Sequence, residues 1–246
     1  LKAIDSISRK TIDELDQSFM YTQILKKTLL SIDFTSKHLS EFIQYRRSQI
    51  ADKNIEEFEK EYGHRASIWW YINSKCPLYD TINSALSTMD INLIILFGFL
   101  IKDIHQDIER LNRKQAKLDQ FTVYRGQGIF EQLQQAEGRL IAFNSFLSTS
   151  FSDDTARMYA ASNAQQNNRI GVVYKITVDP SNASTYFADI SEFSNYKDEE
   201  EILFSMHAIF RIETIKRHEI DDKLWQQLKE LTEFIEKEIK ESEGWL

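Results

Sequence analysis

Residues 170–178 read Ile170-Gly171-Val172-Val173-Tyr174-Lys175-Ile176-Thr177-Val178, a β-branched run that alternates with a period of two, the pattern of a half-buried strand. Similar short runs lie on both sides of it, at Phe121–Tyr124, Leu140–Phe146, Ser184–Phe187, Glu201–Phe204 and Ala208–Ile212, separated by turn residues. Two stretches between them, Ile129–Ala136 and Asp153–Ala161, have helical spacing instead. Ser152, Asp153 and Asp154 are N-cap candidates for the second.

Upstream of about Gln120 the texture changes. Apolar residues recur three or four positions apart, as in Ile101, Ile104, Ile108 and Leu111, so this half is expected to be all-helical. Ser67–Ile72 and Leu78–Leu86 suggest short helices, Asp90 is an N-cap, and Ile91–Ile101 reads as a buried core helix. Past Ile220, Leu224, Leu228, Leu231 and Ile235 stand at the spacing of a terminal amphipathic helix. The expected class is therefore α+β: a helical segment over residues 1–55, a mixed β-sheet core with its own helices over 56–218, and an amphipathic helix over 219–246.

The 246 residues are enough for a buried core without disulfides or metals. Thirty Lys+Arg against 38 Asp+Glu leave a net charge of −8, which disfavours a general nucleic-acid binder. The single cysteine, Cys76, forms no internal disulfide and anchors no Cys-rich zinc site. The run Ile91–Ile101 is far short of the roughly 18 to 20 apolar residues of a membrane span. The first residues lack the zones of a secretory signal, and residue 1 is Leu, as in a segment of a longer protein; a cytoplasmic location is expected. His38, His64, His105, His207 and His218 form no close ligand pair, and no metal is expected. P-loop, dinucleotide-fold and hydrolase-elbow motifs are missing too.

Three local features carry chemistry. In Val123-Tyr124-Arg125-Gly126-Gln127-Gly128 an arginine closes an expected strand ahead of glycines that would let a ligand approach the backbone. Its fork of donors suits a phosphate, although a surface arginine before a turn has the same local sequence. Phe143-Asn144-Ser145-Phe146-Leu147-Ser148-Thr149-Ser150 is a strand ending in three hydroxyls. Ser150 and Ser152 read equally as caps, whereas Ser148 shares a face with Phe146, where a buried hydroxyl needs a partner. Asp198-Glu199-Glu200-Glu201-Ile202-Leu203-Phe204 drives an acidic cluster into an apolar strand. On a strand, Glu199 and Glu201 would share a face about 6.5 to 7 Å apart, although a solvated acidic turn is the plain alternative.

In this order and spacing, with Phe187-Ala188-Asp189-Ile190-Ser191 before the acidic cluster and Phe210-Arg211-Ile212 after it, the three features resemble the R-S-E signature of arginine-specific mono-ADP-ribosyltransferases, the toxin-related class. The similarity is strongest from about Glu56 to Arg217. It implies an enzyme that splits the nicotinamide–ribose bond of NAD or NADP through an oxocarbenium-like transition state and transfers ADP-ribose to arginine side chains of proteins. By resemblance, the NAD surface comprises Tyr124, Arg125, Gly126, Ser148, Thr149, Ser150 and Glu201. Arg125 would hold the phosphates, the Gly126 backbone the nicotinamide amide, Ser148 would orient Glu201, Glu201 would face the ribose cation, and Glu199 would position the acceptor guanidinium. The loop Asp189–Lys197 matches the acceptor-recognition turn; Phe193 and Tyr196 there, and Phe151 beside the nicotinamide, read equally as packing residues. An NAD glycohydrolase and a non-catalytic interaction module with the same fold stay open.

Overall fold

The computed structural model describes residues 2–4, 17–47, 52–73, 77–115, 119–129, 137–165, 170–194 and 200–216. The helix expected at Ile129–Ala136 lies, after Ile129, outside the described residues, as does the terminal helix. The chain clusters into a unit Leu1–Glu213 and a second from Thr214 to Leu246, of which three residues are described.

In the first unit seven helices precede most of the strands: α1 (Gln17–Ser31), α2 (Ser36–Arg46), α3 (Asp52–Glu61), α4 (Ser67–Ile72), α5 (Leu78–Thr88), α6 (Ile91–Leu96) and α7 (Gly98–Lys114). The short strand β1 (Lys2–Ile4) comes before them, so the first half is not purely helical. Aromatic side chains fill the helical core. Phe42 lies 5.0 Å from Phe58 and 5.2 Å from Phe97, and Phe58 lies 4.8 Å from Trp70. Asp90 caps α6 as expected, its carboxylate accepting from the Leu93 N–H at 3.1 Å. The expected single helix Ile91–Ile101 is instead two, meeting at Phe97. Gly98 follows the break because a Cβ there would stand 2.4 Å from the Phe34 ring. Nor is α6 buried throughout, since Ile91 and Ile95 are 46% and 49% exposed.

Further along come β2 (Phe121–Ile129), β3 (Leu140–Phe143), β4 (Leu147–Ser150), α8 (Asp153–Gln165), β5 (Ile170–Val178), β6 (Phe187–Asp189), β7 (Glu201–Phe204) and β8 (Ala208–Arg211). They build a five-stranded antiparallel sheet, β5-β2-β4-β7-β6, and a three-stranded one, β1-β3-β8. The expected strand Leu140–Phe146 is broken after Phe143, where the chain leaves the small sheet for the large one. The strand expected at Ser184–Phe187 sits later, at 187–189. The preceding residues are held in a turn by Asp179, which accepts from the Ser181 N–H at 2.9 Å and from Asn182 Nδ2 at 2.6 Å.

Alternation divides the large sheet between two cores. Ile202 and Phe204 of β7 join Val123, Leu147 and Ile176 between the sheets, while Leu203, with Phe146 and Ala188, joins the helical core. Both faces are covered, which explains the unbroken apolar run after Glu201. None of the described helices is long and apolar enough to cross a membrane.

The link from β7 to β8 is buried against α7 and α1. His105 Nδ1 lies 2.5 Å from Ser205 Oγ, Lys26 Nζ donates to the Met206 carbonyl at 3.0 Å, and His207 is buried at φ +64°. Burial, then the Lys26 ammonium, holds both imidazoles down to about 4. The unfolded chain takes up these protons near pH 6.5 and the folded one only near 4, so stability is complete above that window and is lost as pH falls through it. The expected loss is about 2 kcal/mol per imidazole at pH 5. Urea midpoints at pH 7 and 5 check this: His207→Gly should shrink the difference, and an unchanged difference would contradict the assignment.

Candidate active site

Arg125 lies in the middle of β2 and not at its end. The strand continues through both glycines to Ile129 and pairs with β5 along its whole length. The close approach that Gly126 permits is that of α8, whose Ala156 carbonyl oxygen would be 1.8 Å from a Cβ at position 126. Neighbouring strands β2, β4 and β7 bring three of the expected residues together. Arg125 Nη1 donates to the Ser148 carbonyl at 2.8 Å, and Ser148 Oγ donates to Glu201 Oε1 at 2.5 Å. Arg125, Ser148 and Glu201 are all half-buried, where a charge-assisted hydrogen bond is stronger than in water.

The other hydroxyls of this strand have local work. Thr149 is buried and ties β4 to β7 by donating to the Ile202 carbonyl at 2.9 Å. Ser150 Oγ accepts from the Ser152 N–H at 3.0 Å, and Ser152 Oγ accepts from the Thr155 N–H at 3.2 Å, which opens α8. Tyr124 stands opposite Ser150 on one side and Lys175 on the other. Phe151 packs 5.8 Å from Phe121 at the edge of the inter-sheet core, and Phe193 packs on the helical core.

Glu199 and Tyr196 lie outside the described residues. β7 starts at Glu201, and Glu200 before it stands outside the strand at φ +40°. The backbone of Glu201 is fixed by the segment before it. Its N–H donates to Ser191 Oγ at 3.2 Å and its carbonyl accepts from the Ile190 N–H at 2.9 Å.

Several residues around the site were not singled out from the sequence. Tyr174 faces Arg125 across the β2–β5 ladder, and both Tyr174 Oη and Arg125 Nε are buried without a hydrogen-bond partner. From the helical layer, the hydroxyl of fully buried Tyr71 is within electrostatic reach of Arg125 and Glu201, and the side chain of Asn83 interacts with it. Burial raises the Tyr71 hydroxyl well above its ordinary range, and burial also raises Tyr174 against the opposing pull of Arg125. Both phenols are therefore neutral donors at neutral pH. An unsatisfied buried polar atom costs about 1 to 3 kcal/mol, and Tyr174 Oη and Arg125 Nε, facing each other beside the carboxylate, suit a polar ligand. The helical apolar spacing that buries Tyr71 concealed it in the sequence. No cluster of metal-binding side chains occurs among the described residues.

The arrangement sets a carboxylate, oriented by a serine hydroxyl, near a guanidinium on the next strand but one. Such a pair can hold an anionic ligand at one end and oppose a growing positive charge at the other.

No curated protein matches the chain. Among solved structures, the ADP-ribosyltransferase HopU1 of Pseudomonas syringae is 19% identical, with 76% of this chain and 94% of that one covered and a TM-score of 0.49. Exoenzyme S of Pseudomonas aeruginosa, solved with human 14-3-3 protein beta and carba-NAD, is 16% identical over 74% and 82%, with a TM-score of 0.45. The eukaryotic mono-ADP-ribosyltransferase ART2.2 is 17% identical over 83% and 84%, with a TM-score of 0.40. The family model for the ADP-ribosyltransferase exoenzymes matches residues 51–233, a span that includes α3 to α8, β2 to β8 and the whole Arg125–Ser148–Glu201 site, and the chain belongs to that family.

Proposed function

We propose that this ADP-ribosyltransferase uses NAD as donor and the guanidinium of protein arginines as acceptor. The observation that carries the reading is the Ser148–Glu201 hydrogen bond of 2.5 Å, which aims one carboxylate oxygen, with Arg125 tied to the same serine. An ADP-ribosyl donor has a pyrophosphate at its centre and a ribose at the reacting end. Arg125 binds the pyrophosphate through the part of its guanidinium not given to the Ser148 carbonyl. As the nicotinamide leaves with the bonding electrons, positive charge develops on the ribose, and Glu201 stabilises it. Glu199 accepts hydrogen bonds from the incoming arginine and takes the proton that its nitrogen releases on bonding to the ribose carbon.

Incubation with labelled NAD and agmatine, with nicotinamide and ADP-ribosyl-agmatine both quantified, tests this. Nicotinamide release without agmatine labelling would make the protein a glycohydrolase. No nicotinamide release would make it an interaction module. Glu199→Gln is expected to abolish agmatine labelling while leaving much of the slow hydrolysis, because water needs no guanidinium to be positioned. Parallel loss of both products would contradict this division of roles.

A further inference from the structure

We infer that Asp189 and Ser191, anchored by Gln115 at the end of α7, are positioning residues for Glu201. The inference rests on the reading of Glu201 as the carboxylate that faces the ribose. β6 is the outer strand of the large sheet, and its free edge would ordinarily leave backbone groups unpaired. The C-terminal part of α7 supplies the missing partners. Gln115 Nε2 donates to the Asp189 carbonyl at 2.9 Å and Gln115 Oε1 accepts from the Asp189 N–H at 3.0 Å, the two-point pairing that a neighbouring strand would make. Asn112 Nδ2 donates to the Phe187 carbonyl at 2.8 Å. The helix thus stands in for a sixth strand and fixes the backbone at residue 189.

From there the connection runs through side chains. Asp189 Oδ1 accepts from Ser191 Oγ at 2.6 Å and from the Ser191 N–H at 2.9 Å. Ser191 has one hydroxyl proton. With that proton given to Asp189, its oxygen is turned to accept the Glu201 N–H at 3.2 Å. Glu201 is the first residue of β7, directly after the left-handed Glu200, so the ladder gives its N-terminal side little support. Ser148 fixes the carboxylate and Ser191 fixes the backbone from which it extends. An exposed aspartate on an edge strand usually serves solubility, but this one is spent on the serine that holds the site.

A displacement of about 1 Å at a reacting group can lower turnover by around a hundredfold. In Ser191→Ala, kcat for NAD cleavage should fall about tenfold or more with the KM for NAD within about twofold, because the ligand contacts remain. Ser191→Thr, which keeps the hydroxyl, should restore most of the rate. Asp189→Asn, which keeps an accepting oxygen, should cost less than Asp189→Ala. Amide exchange gives a readout independent of activity: the Glu201 N–H should exchange about tenfold faster or more in Ser191→Ala, with the protection of β2 and β5 unchanged. Unchanged kcat and exchange in Ser191→Ala, beside an inactive Glu201→Gln, would overturn the positioning role and leave the catalytic reading intact. Full turnover in Glu201→Gln would overturn both.

Discussion

Glu201→Gln should turn over NAD two to three orders of magnitude more slowly than the parent, with NAD affinity nearly unchanged. The side chain keeps its shape, and its amide oxygen can still accept from Ser148, now 2.5 Å from the carboxylate. What disappears is the negative charge opposite a ribose that becomes positive only as its bond to nicotinamide breaks. An interaction made chiefly in the transition state lowers kcat and not binding, and losing one preorganised electrostatic group costs about 10²- to 10³-fold. Single-turnover nicotinamide release gives the rate and calorimetry gives the affinity. A loss below about threefold would remove Glu201 from the chemistry. A large loss of affinity with kcat preserved would make it a binding residue only.

Gly126→Ala is expected to cost about 3 kcal/mol or more, at the upper end for overpacking, because its new methyl meets backbone and not a side chain that can turn away. An added Cβ would lie 1.8 Å from the Ala156 carbonyl oxygen and 2.6 Å from the Ala160 nitrogen. A Cβ added at Gly128 or Gly171 would meet the same helix, 2.8 Å from the Asn163 carbonyl oxygen and 2.6 Å from the Ala160 carbonyl oxygen. Three glycines on two paired strands thus form the bed of α8. Lifting the helix would disturb the residues on either side of position 126, Arg125 among them. Urea unfolding should show the lost stability, and NAD binding should weaken with it. A cost below about 1 kcal/mol would mean that α8 does not rest on this bed.

Those glycines also show where the sequence misled. Gly126 and Gly128 read as room for a ligand beyond the end of a strand, yet β2 runs through them and what approaches is α8. Glycine in a strand marks a turn, a bulge or a close approach, and only the tertiary partner decides which. Strands whose own pattern carries the signal were legible: Ile170–Val178 by alternation and Glu201–Phe204 by its apolar run have the expected bounds. The break at Phe97 was not, because an apolar run continues across it.

The site divides in the same way. Arg125, Ser148 and Glu201 stood out because strand-borne polar residues at the edges of apolar runs are conspicuous, and the structure joins them by hydrogen bonds. Tyr71, Tyr174 and Gln115 did not, and Ser191 was marked only as part of the segment before the acidic cluster, without a role. The first two lie on faces that otherwise pack cores, and the last two act through backbone groups, which leave no mark in composition or spacing.

A crystal structure of Glu201→Gln with NAD bound tests the central claim most directly, since the slowed variant should hold the intact dinucleotide. The account predicts the nicotinamide ribose within hydrogen-bonding distance, about 3 Å, of the residue-201 side chain, and the pyrophosphate against the guanidinium of Arg125. NAD bound away from these two residues, or reversed so that adenine lies at position 201, would contradict it.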